Sequence, residues 1–282
     1  MPRPERQGVM LAHPAIPKKL ALLPDHIFIQ PKLRGERCRV EYRFLVTSYG
    51  NPFYFLDQIE KELKQLPDLP YDGEIYLHGK TQEWINSAAN RTKNRSPNSS
   101  KLEYHIFDLC NPDYQKDRLI TLNAINDEIN RLDLKYIKVV STMYIPKDEW
   151  ETSTIYYTDL GYEGLIIRNP NAGGYIAKRT NDLLKFKPTE IDYYRIEEVI
   201  EAISDTGFPK GMVGSFWVSS SKSDWFRVGA GKMDHRLRTI LWEERKQLRG
   251  KDLEVKHEKI RTEKGIPLCC VAINVKNFTV GQ

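Results

Sequence analysis

No apolar run in this chain approaches the length of a membrane span, which argues against a helical membrane protein. The amino terminus, Met1-Pro2-Arg3-Pro4-Glu5-Arg6, leads into no apolar signal core. Cysteine is scarce, with only Cys38, Cys110, Cys269 and Cys270. None stands in C-x-x-C spacing, and an adjacent pair makes a poor disulfide or zinc framework. Buried, reduced thiols in a cytosol-like compartment are the expectation. The histidines share no spacing that suits a metal, so surface or packing roles are expected for them. Internal repeats and long low-complexity segments are missing too, and Gly229-Ala230-Gly231 is too short for a dinucleotide loop.

What is present fits a globular protein. At 282 residues the chain is long enough for two compact domains or one large one, and 40% hydrophobic residues suffice for their cores. The 43 Lys and Arg against 38 Asp and Glu give +5, a mildly basic balance that permits a phosphate-rich partner without requiring one.

Residues 26–33 and 38–47, rich in β-branched and aromatic side chains, predict strands flanking a turn at Gly35. Phe55, Ile59, Leu63 and Leu66 recur at helical spacing and predict a helix over 54–66. A second helix fits 115–132, with Leu119, Leu122, Ile125, Ile129 and Leu132 on one face. Strand-like runs return at 103–108, 164–168 and 182–187, so a mixed α+β domain is expected to end near Pro188. Between Ser87 and Lys101 lies an Asn- and Ser-rich stretch holding Arg91, Lys93 and Arg95. It reads equally as a solvated loop or as a basic loop that grips a nucleic-acid backbone. Beyond Pro188, strands are predicted at 193–203, 213–219, 225–229, 252–260 and 268–276, with one helix near 234–248. Five strands and one helix fit a small closed barrel of the oligonucleotide-binding type. Residues 226–261 hold eleven Lys and Arg against six Asp and Glu, an excess that suits a phosphate-facing wall. Trp217, Trp225 and Trp242 are expected to pack in that domain's core. The predicted class is therefore α+β in two domains, 1–189 and 190–282.

Four short motifs carry the chemistry: Lys32-Leu33-Arg34-Gly35-Glu36-Arg37, Asp72-Gly73-Glu74, Glu163-Gly164-Leu165-Ile166-Ile167-Arg168 and Leu184-Lys185-Phe186-Lys187. A lysine nucleophile must lose its proton, and neighbouring cations or partial burial favour that. The strand period of two puts Lys185 and Lys187 on one face, where they suit a triphosphate. Carboxylates at Glu74 and Glu163 suit ribose hydroxyls or Mg²⁺ held against phosphates. Taken singly, each motif also has an ordinary reading: a solvated lysine, a turn before a strand, a buried strand with a polar start.

Taken in order, the motifs resemble those of ATP-dependent DNA ligases, within the covalent nucleotidyltransferases that include RNA ligases and mRNA capping enzymes. The family pattern is K-x-D-G-x-R, S/T-R-x-G, D-G-E, an aromatic-Asp pair, E-G-h-h-h-K/R and h-K-h-K, with h apolar. It matches here at Lys32 to Arg37, Thr47 to Gly50, Asp72 to Glu74, Phe107-Asp108, Glu163 to Arg168 and Leu184 to Lys187, with Gly174-Tyr175 and Lys178-Arg179-Thr180 as a lead-in. The resemblance runs from about Leu11 to the end of the chain and is looser in the last third.

The resemblance implies that Lys32 attacks the α-phosphate of ATP and that Lys185 and Lys187 hold that phosphate. Gln30 takes the place of an adenine-contacting glutamate, Phe107 stacks on the base, and Arg37 and Glu74 contact the ribose or its phosphate. Glu74 and Glu163 hold Mg²⁺ or Mn²⁺. The implied partner is nicked double-stranded DNA, with Ser48, Arg91, Lys93 and Arg95 as DNA-facing candidates. The implied protein is a compact, cytoplasmic monomer of bacterial, phage or viral type, lacking the large amino-terminal DNA-binding domain of cellular ligases. Three departures stand out. The family aspartate two residues after the lysine is Arg34, the S/T-R-x-G arginine is Ser48, and the late basic motif is reduced to Lys276-Asn277. An RNA ligase, a GTP-using capping enzyme, or a nick- or end-binding protein without catalysis are the alternatives.

Overall fold

In a computed structural model, which describes residues 8–220, 223–231, 233–259, 262 and 265–278, the chain divides into two compact units, Met1–Lys187 and Pro188–Gln282. The segment Met1 to Arg6, the last residue of the predicted strand at Ile260 and the end of the basic stretch at Arg261 lie outside the described residues.

The first unit runs β1 (Leu11–Pro14), α1 (Pro17–Leu20), β2 (His26–Lys32), β3 (Glu36–Glu41), β4 (Phe44–Thr47), α2 (Asp57–Leu63), β5 (Tyr71–Tyr76) and α3 (Gln82–Ala89). It continues through β6 (Glu103–Leu109), α4 (Gln115–Arg131), β7 (Ile137–Val139), β8 (Met143–Pro146), α5 (Trp150–Asp159), β9 (Gly164–Arg168) and β10 (Arg179–Phe186). Its strands form two sheets, β1-β10-β9-β2-β8 and β4-β3-β5-β6-β7. The strands on either side of Gly35 therefore do not pair. They enter different sheets, and the Lys32–Arg37 motif is the crossing between them.

Several expectations change in detail. Residues 38–47 form a hairpin, because Tyr42 and Arg43 both adopt positive φ and turn β3 back into β4. Asp72-Gly73-Glu74 lies within β5, paired to β3 and β6, and is not a turn before a strand. The stretch 87–101 begins as the end of α3, whose amino terminus is capped by Thr81 accepting from the Trp84 N–H at 3.2 Å. Helices α2 and α4 place Ile59, Leu63, Leu122, Ile125 and Ile129 in the core beneath the second sheet.

In the second unit, β11 (Thr189–Ile203), β12 (Pro209–Ser220) and β13 (Ser223–Gly229) precede α6 (His235–Glu243), α7 (Arg245–Leu248), β14 (Asp252–Glu258) and β15 (Val271–Val275). The strands close into a barrel in the order β11-β12-β13-β15-β14. All its pairings are antiparallel except β13 with β15, which meet in parallel at Gly229 and Val271. The predicted single helix is two, broken at Glu244. Trp225 is 53% exposed, so it does not pack in the barrel core as expected; Phe226 takes the inward position beside it. His257 does pack, with Nε2 3.0 Å from Asp192 and Nδ1 2.7 Å from the Glu258 carbonyl. The cysteines are free thiols, but only Cys38 is fully buried and Cys269 is exposed. Burial pushes the Cys110 thiol up to about 12, so it stays protonated at neutral pH. Among the described residues, no helix is long and apolar enough to cross a membrane.

A buried ion cluster ties the two sheets of the first unit together. Asp108 on β6 accepts from Arg118 Nε at 2.7 Å and pairs with Arg168 on β9. Burial alone would raise the Asp108 carboxyl; Arg168 and Arg118 outweigh it and hold it below the ordinary aspartate range. A lowered folded pKa contributes stability above the unfolded value near 3.9, and that contribution is lost as pH falls through the folded value. We predict that Asp108→Asn costs about 3 kcal/mol at pH 7. The gap from wild type should narrow as pH falls below about 4 and close only once the lowered folded value is passed and the wild-type side chain is neutral too. Thermal melts at pH 7 and pH 3 check this; an equal gap at both would exclude the ionic role.

Candidate active site

On β2, β9 and β10 the strand alternation sorts the motif residues. Ile27, Ile29, Leu165, Ile167 and Leu184 point into one apolar cluster. Their alternate neighbours Gln30, Lys32, Ile166, Arg168, Leu183 and Lys185 line a cavity of about 310 Å³, as does Lys187 just beyond β10. Cross-strand register reinforces the sorting, because Gln30 sits opposite Ile166, Lys32 opposite Gly164, and Lys185 opposite Ile166.

The second sheet supplies the facing wall. Arg37 on β3 pairs directly with Glu74 on β5, and both line the cavity. Phe107 is the extra residue of a bulge, since Asp72 pairs with Asp108 but Gly73 pairs with Ile106. Bulges re-aim side chains, and this one puts the Phe107 ring at the cavity. Two glycines make the junction possible. A Cβ on Gly35 would meet the Ile75 carbonyl at 2.2 Å, and one on Gly164, at φ +154, would meet the Phe186 carbonyl at 2.1 Å.

At one end of the cavity, three cations converge on Glu163, which is 6% exposed. Lys32 pairs with Oε2, Lys187 donates to Oε1 at 2.6 Å, and Arg34 Nη2 lies 3.4 Å from Oε1. Lys32 also donates to the Leu33 carbonyl at 3.2 Å. Glu74 accepts from the Gly35 N–H. Burial pushes the Glu74 carboxyl above its ordinary range despite the pull of Lys32, the Gly35 N–H and Arg37, and the nearby Glu163 charge adds to the rise. Two adjacent carboxylates, one of them uncomfortable when ionised, make a donor set that suits a hard divalent cation.

Arg37 is held from behind. Its Nε donates to Asp72 Oδ1 at 2.7 Å and its Nη2 to Oδ2 at 2.5 Å, while its guanidinium lies 4.6 Å from the centre of the Phe107 ring. The Tyr175 hydroxyl donates to the same Asp72 at 2.6 Å and accepts from the Met10 N–H at 2.6 Å. Gln30 is 2% exposed and bonded to Phe107, Thr142 and Arg168. The sequence reading missed Asp72, Asp108, Arg168, Tyr175 and Thr142 as holders of the site. The first four stand inside the motifs or the lead-in, where a buried partner for Arg37 was a findable signal; Thr142 stands in no motif.

The DNA-facing candidates lie apart from this cavity. Ser48 is 1% exposed, so its side chain is buried under the turn after β4 and cannot face a partner without moving. Arg91 donates to the Ser87 carbonyl at 2.8 Å and Arg95 pairs with Asp57 at 2.7 Å, both at the surface, where Lys93 is also exposed.

The Gly164 contact generates a prediction. Gly164→Ala must push β9 from β10, at a cost of about 3 kcal/mol, which corresponds to a Tm lower by roughly 6–12 °C. An unchanged Tm in calorimetry would show that the two strands are not packed this closely.

No protein-family model matches the chain. It is 30% identical over 255 residues to a DNA ligase of African swine fever virus (isolate Pig/Kenya/KEN-50/1950), which covers 82% of this chain. The chain spans 58% of that relative's length. Among solved structures, one from a study of Lig E DNA ligases superposes with a TM-score of 0.76 at 21% identity, covering 95% of this chain and 99% of that one. The ATP-dependent DNA ligase of bacteriophage T7 in complex with ATP superposes with a TM-score of 0.53 at 13% identity, covering 95% and 98%. In sequence the chain is similar to a viral DNA ligase over part of that relative's length, and in fold it is similar to solved DNA ligases, the ATP-dependent one of bacteriophage T7 among them.

Proposed function

We propose that the protein is an ATP-dependent DNA ligase that seals nicks in duplex DNA through a lysyl-AMP intermediate. The observation that carries the reading is the convergence of Lys32, Arg34 and Lys187 on the buried carboxylate of Glu163, at the rim of a cavity walled by Gln30, Phe107, Glu74 and Lys185. The strand order and single parallel contact of the closed barrel support reading 190–282 as an OB-fold domain and 1–189 as the nucleotidyltransferase domain. The similarity to a viral DNA ligase, to Lig E DNA ligases and to the ATP-dependent ligase of bacteriophage T7 supports DNA as the substrate and ATP as the nucleotide.

In this reading the adenine lies against Phe107 and the α-phosphate meets Lys185 and Lys187. The Lys32 amine, once deprotonated, attacks the α-phosphorus; the bond to pyrophosphate breaks and Lys32 carries AMP. Lys32 then no longer balances Glu163, and Arg34 and Lys187 already reach the same carboxylate. AMP passes to the 5′-phosphate at a nick, and the 3′-hydroxyl attacks that phosphate, expelling AMP and closing the strand. Glu74 and Glu163 would hold Mg²⁺ or Mn²⁺, which when bound shares the negative charge on the phosphates. Arg37, clamped by Asp72 and Tyr175, orients the nucleotide from the opposite wall.

Incubation with Mg²⁺ and ATP, followed by intact-mass analysis, should add one AMP to the wild type and none to Lys32→Ala, with the Tm of the variant unchanged. An AMP adduct on Lys32→Ala would remove Lys32 as nucleophile, and an adduct from GTP alone would turn the reading toward capping. Arg34→Asp is expected to slow adduct formation by about tenfold or more, since it places a carboxylate beside Glu163 and Glu74. Faster adduct formation in that variant would show that the native arginine hinders the reaction.

A further inference from the structure

At one end of the barrel the inward rows of β11 and β14 change from apolar to metal-ligating side chains. On β14 the row runs Leu253, Val255, His257, all buried, and on β11 it runs Ile196, Tyr194, Asp192, Glu190. Register sets Glu190 opposite His257 and Asp192 opposite Val255. One ring nitrogen of His257 and one carboxylate oxygen each from Glu190 and Asp192 lie within 4.8 Å of one another. No sequence spacing announces this set, because Asp192 and His257 meet across 65 residues. The ring of His257 has a fixed sense. Its Nδ1 stands 2.7 Å from the Glu258 carbonyl, which can only accept, so Nδ1 carries a proton. Metal-bound histidines are held in the same way, with the second nitrogen tied to a carbonyl or carboxylate. A neutral ring so oriented turns the Nε2 lone pair toward Asp192 Oδ2, 3.0 Å away, acceptor against acceptor. A second ring proton or a metal ion relieves that opposition. With Glu190 in reach as a third acceptor, one proton cannot bridge the set, whereas an ion can.

We infer that Glu190, Asp192 and His257 bind a divalent transition ion, Zn²⁺ by preference, which ties the start of β11 to the end of β14. The imidazole discriminates against Mg²⁺ and Ca²⁺, and the two carboxylates balance the charge of the ion. Ligand atoms around a tetrahedral zinc sit about 3.3 Å apart, close to the separation of His257 and Asp192. Glu190 is exposed and free of core packing, so its side chain can swing in to complete the set, with water in the fourth position. The Tyr194 hydroxyl donates to Asp192 Oδ2 at 3.3 Å and steadies that carboxylate from the core side. All these residues belong to the second unit, so the site stands or falls independently of the ligase reading.

The test titrates Zn²⁺ into the full chain, first stripped with a chelator and then kept in excess Mg²⁺, at micromolar protein in a calorimeter. One equivalent should bind, and a hundredfold excess over Kd should raise the Tm by about 5 °C. Glu190→Gln should weaken Zn²⁺ binding by about tenfold or more, since losing a ligand costs at least as much as losing an outer-shell partner. Its metal-free Tm should match the wild type, because Glu190 is exposed. Asp192→Asn should weaken binding likewise. Glu74→Gln, which alters the nucleotide cavity, should leave this equivalent in place. No Zn²⁺ bound in the presence of Mg²⁺ overturns the inference and leaves His257 and Asp192 a simple pair. Unchanged affinity in either barrel carboxylate variant overturns the three-ligand site. Loss of the ion in Glu74→Gln assigns it to the nucleotide cavity and overturns the inference too. Glu190→Gln removes only an exposed side chain, so the test does not depend on variants of buried His257.

Discussion

The cavity depends on one carboxylate shared between arginines from different parts of the chain. Asp108 stands on the second sheet, Arg168 on the first, and Arg118 on α4. All three are buried, so none can turn to water for an alternative partner. Removing one member strands a charge in the interior, at a cost of several kcal/mol. This cluster therefore fixes how β6 stands against β9. Everything at the cavity that needs two walls, from the Phe107 ring to the Gln30 amide, inherits that spacing. Arg168 extends the cluster to Gln30, and Arg118 also ties down the Asp113 and Gly173 carbonyls at 2.6 and 3.1 Å.

A second constraint acts at the rim. Gly35 and Gly164 let the backbone of their motifs approach the backbone at Ile75 and Phe186, at separations no side chain permits. The close approach brings Lys32, Glu163 and Lys187 within reach of one another although they lie on β2, before β9 and after β10. Strand alternation supplies the remaining order: the faces that bury isoleucine and leucine oblige the intervening residues to face the cavity. Chemistry and core are two faces of the same strands.

That alternation explains what was legible beforehand. Gln30, Lys32 and Lys185 sit in strands whose apolar period is plain, and Glu163 and Lys187 directly adjoin such strands, so both the strand and the shared face could be read. The helix over 115–132 was legible for the same reason at a period of 3.6. The hairpin inside 38–47 was not, because its turn uses Tyr42 and Arg43 at positive φ in place of the usual Gly or Asn. Asp72-Gly73-Glu74 looked like a turn for the complementary reason: its composition suits turns, but Gly73 sits mid-strand under the Tyr104 ring and the His105 carbonyl. The burial of Ser48 was not legible because exposure has no local signal in a turn sequence. Thr142 had no signal at all, since its role comes from a contact across 112 residues.

The glutamine at position 30 follows from the same buried cluster. A glutamate there would bring a second carboxylate to Arg168, dividing the guanidinium that Asp108 needs. Its other oxygen would face the Phe107 carbonyl, acceptor against acceptor, in a position 2% exposed to solvent. Glutamine avoids both costs: its nitrogen satisfies Phe107 and Thr142, and its oxygen takes one donor from Arg168 without competing for the charge. Gln30 and Arg168 are thus joined in one buried hydrogen-bond set. The hydrogen bonding of Gln30 at the cavity's inner wall is a consequence of how the two sheets are joined.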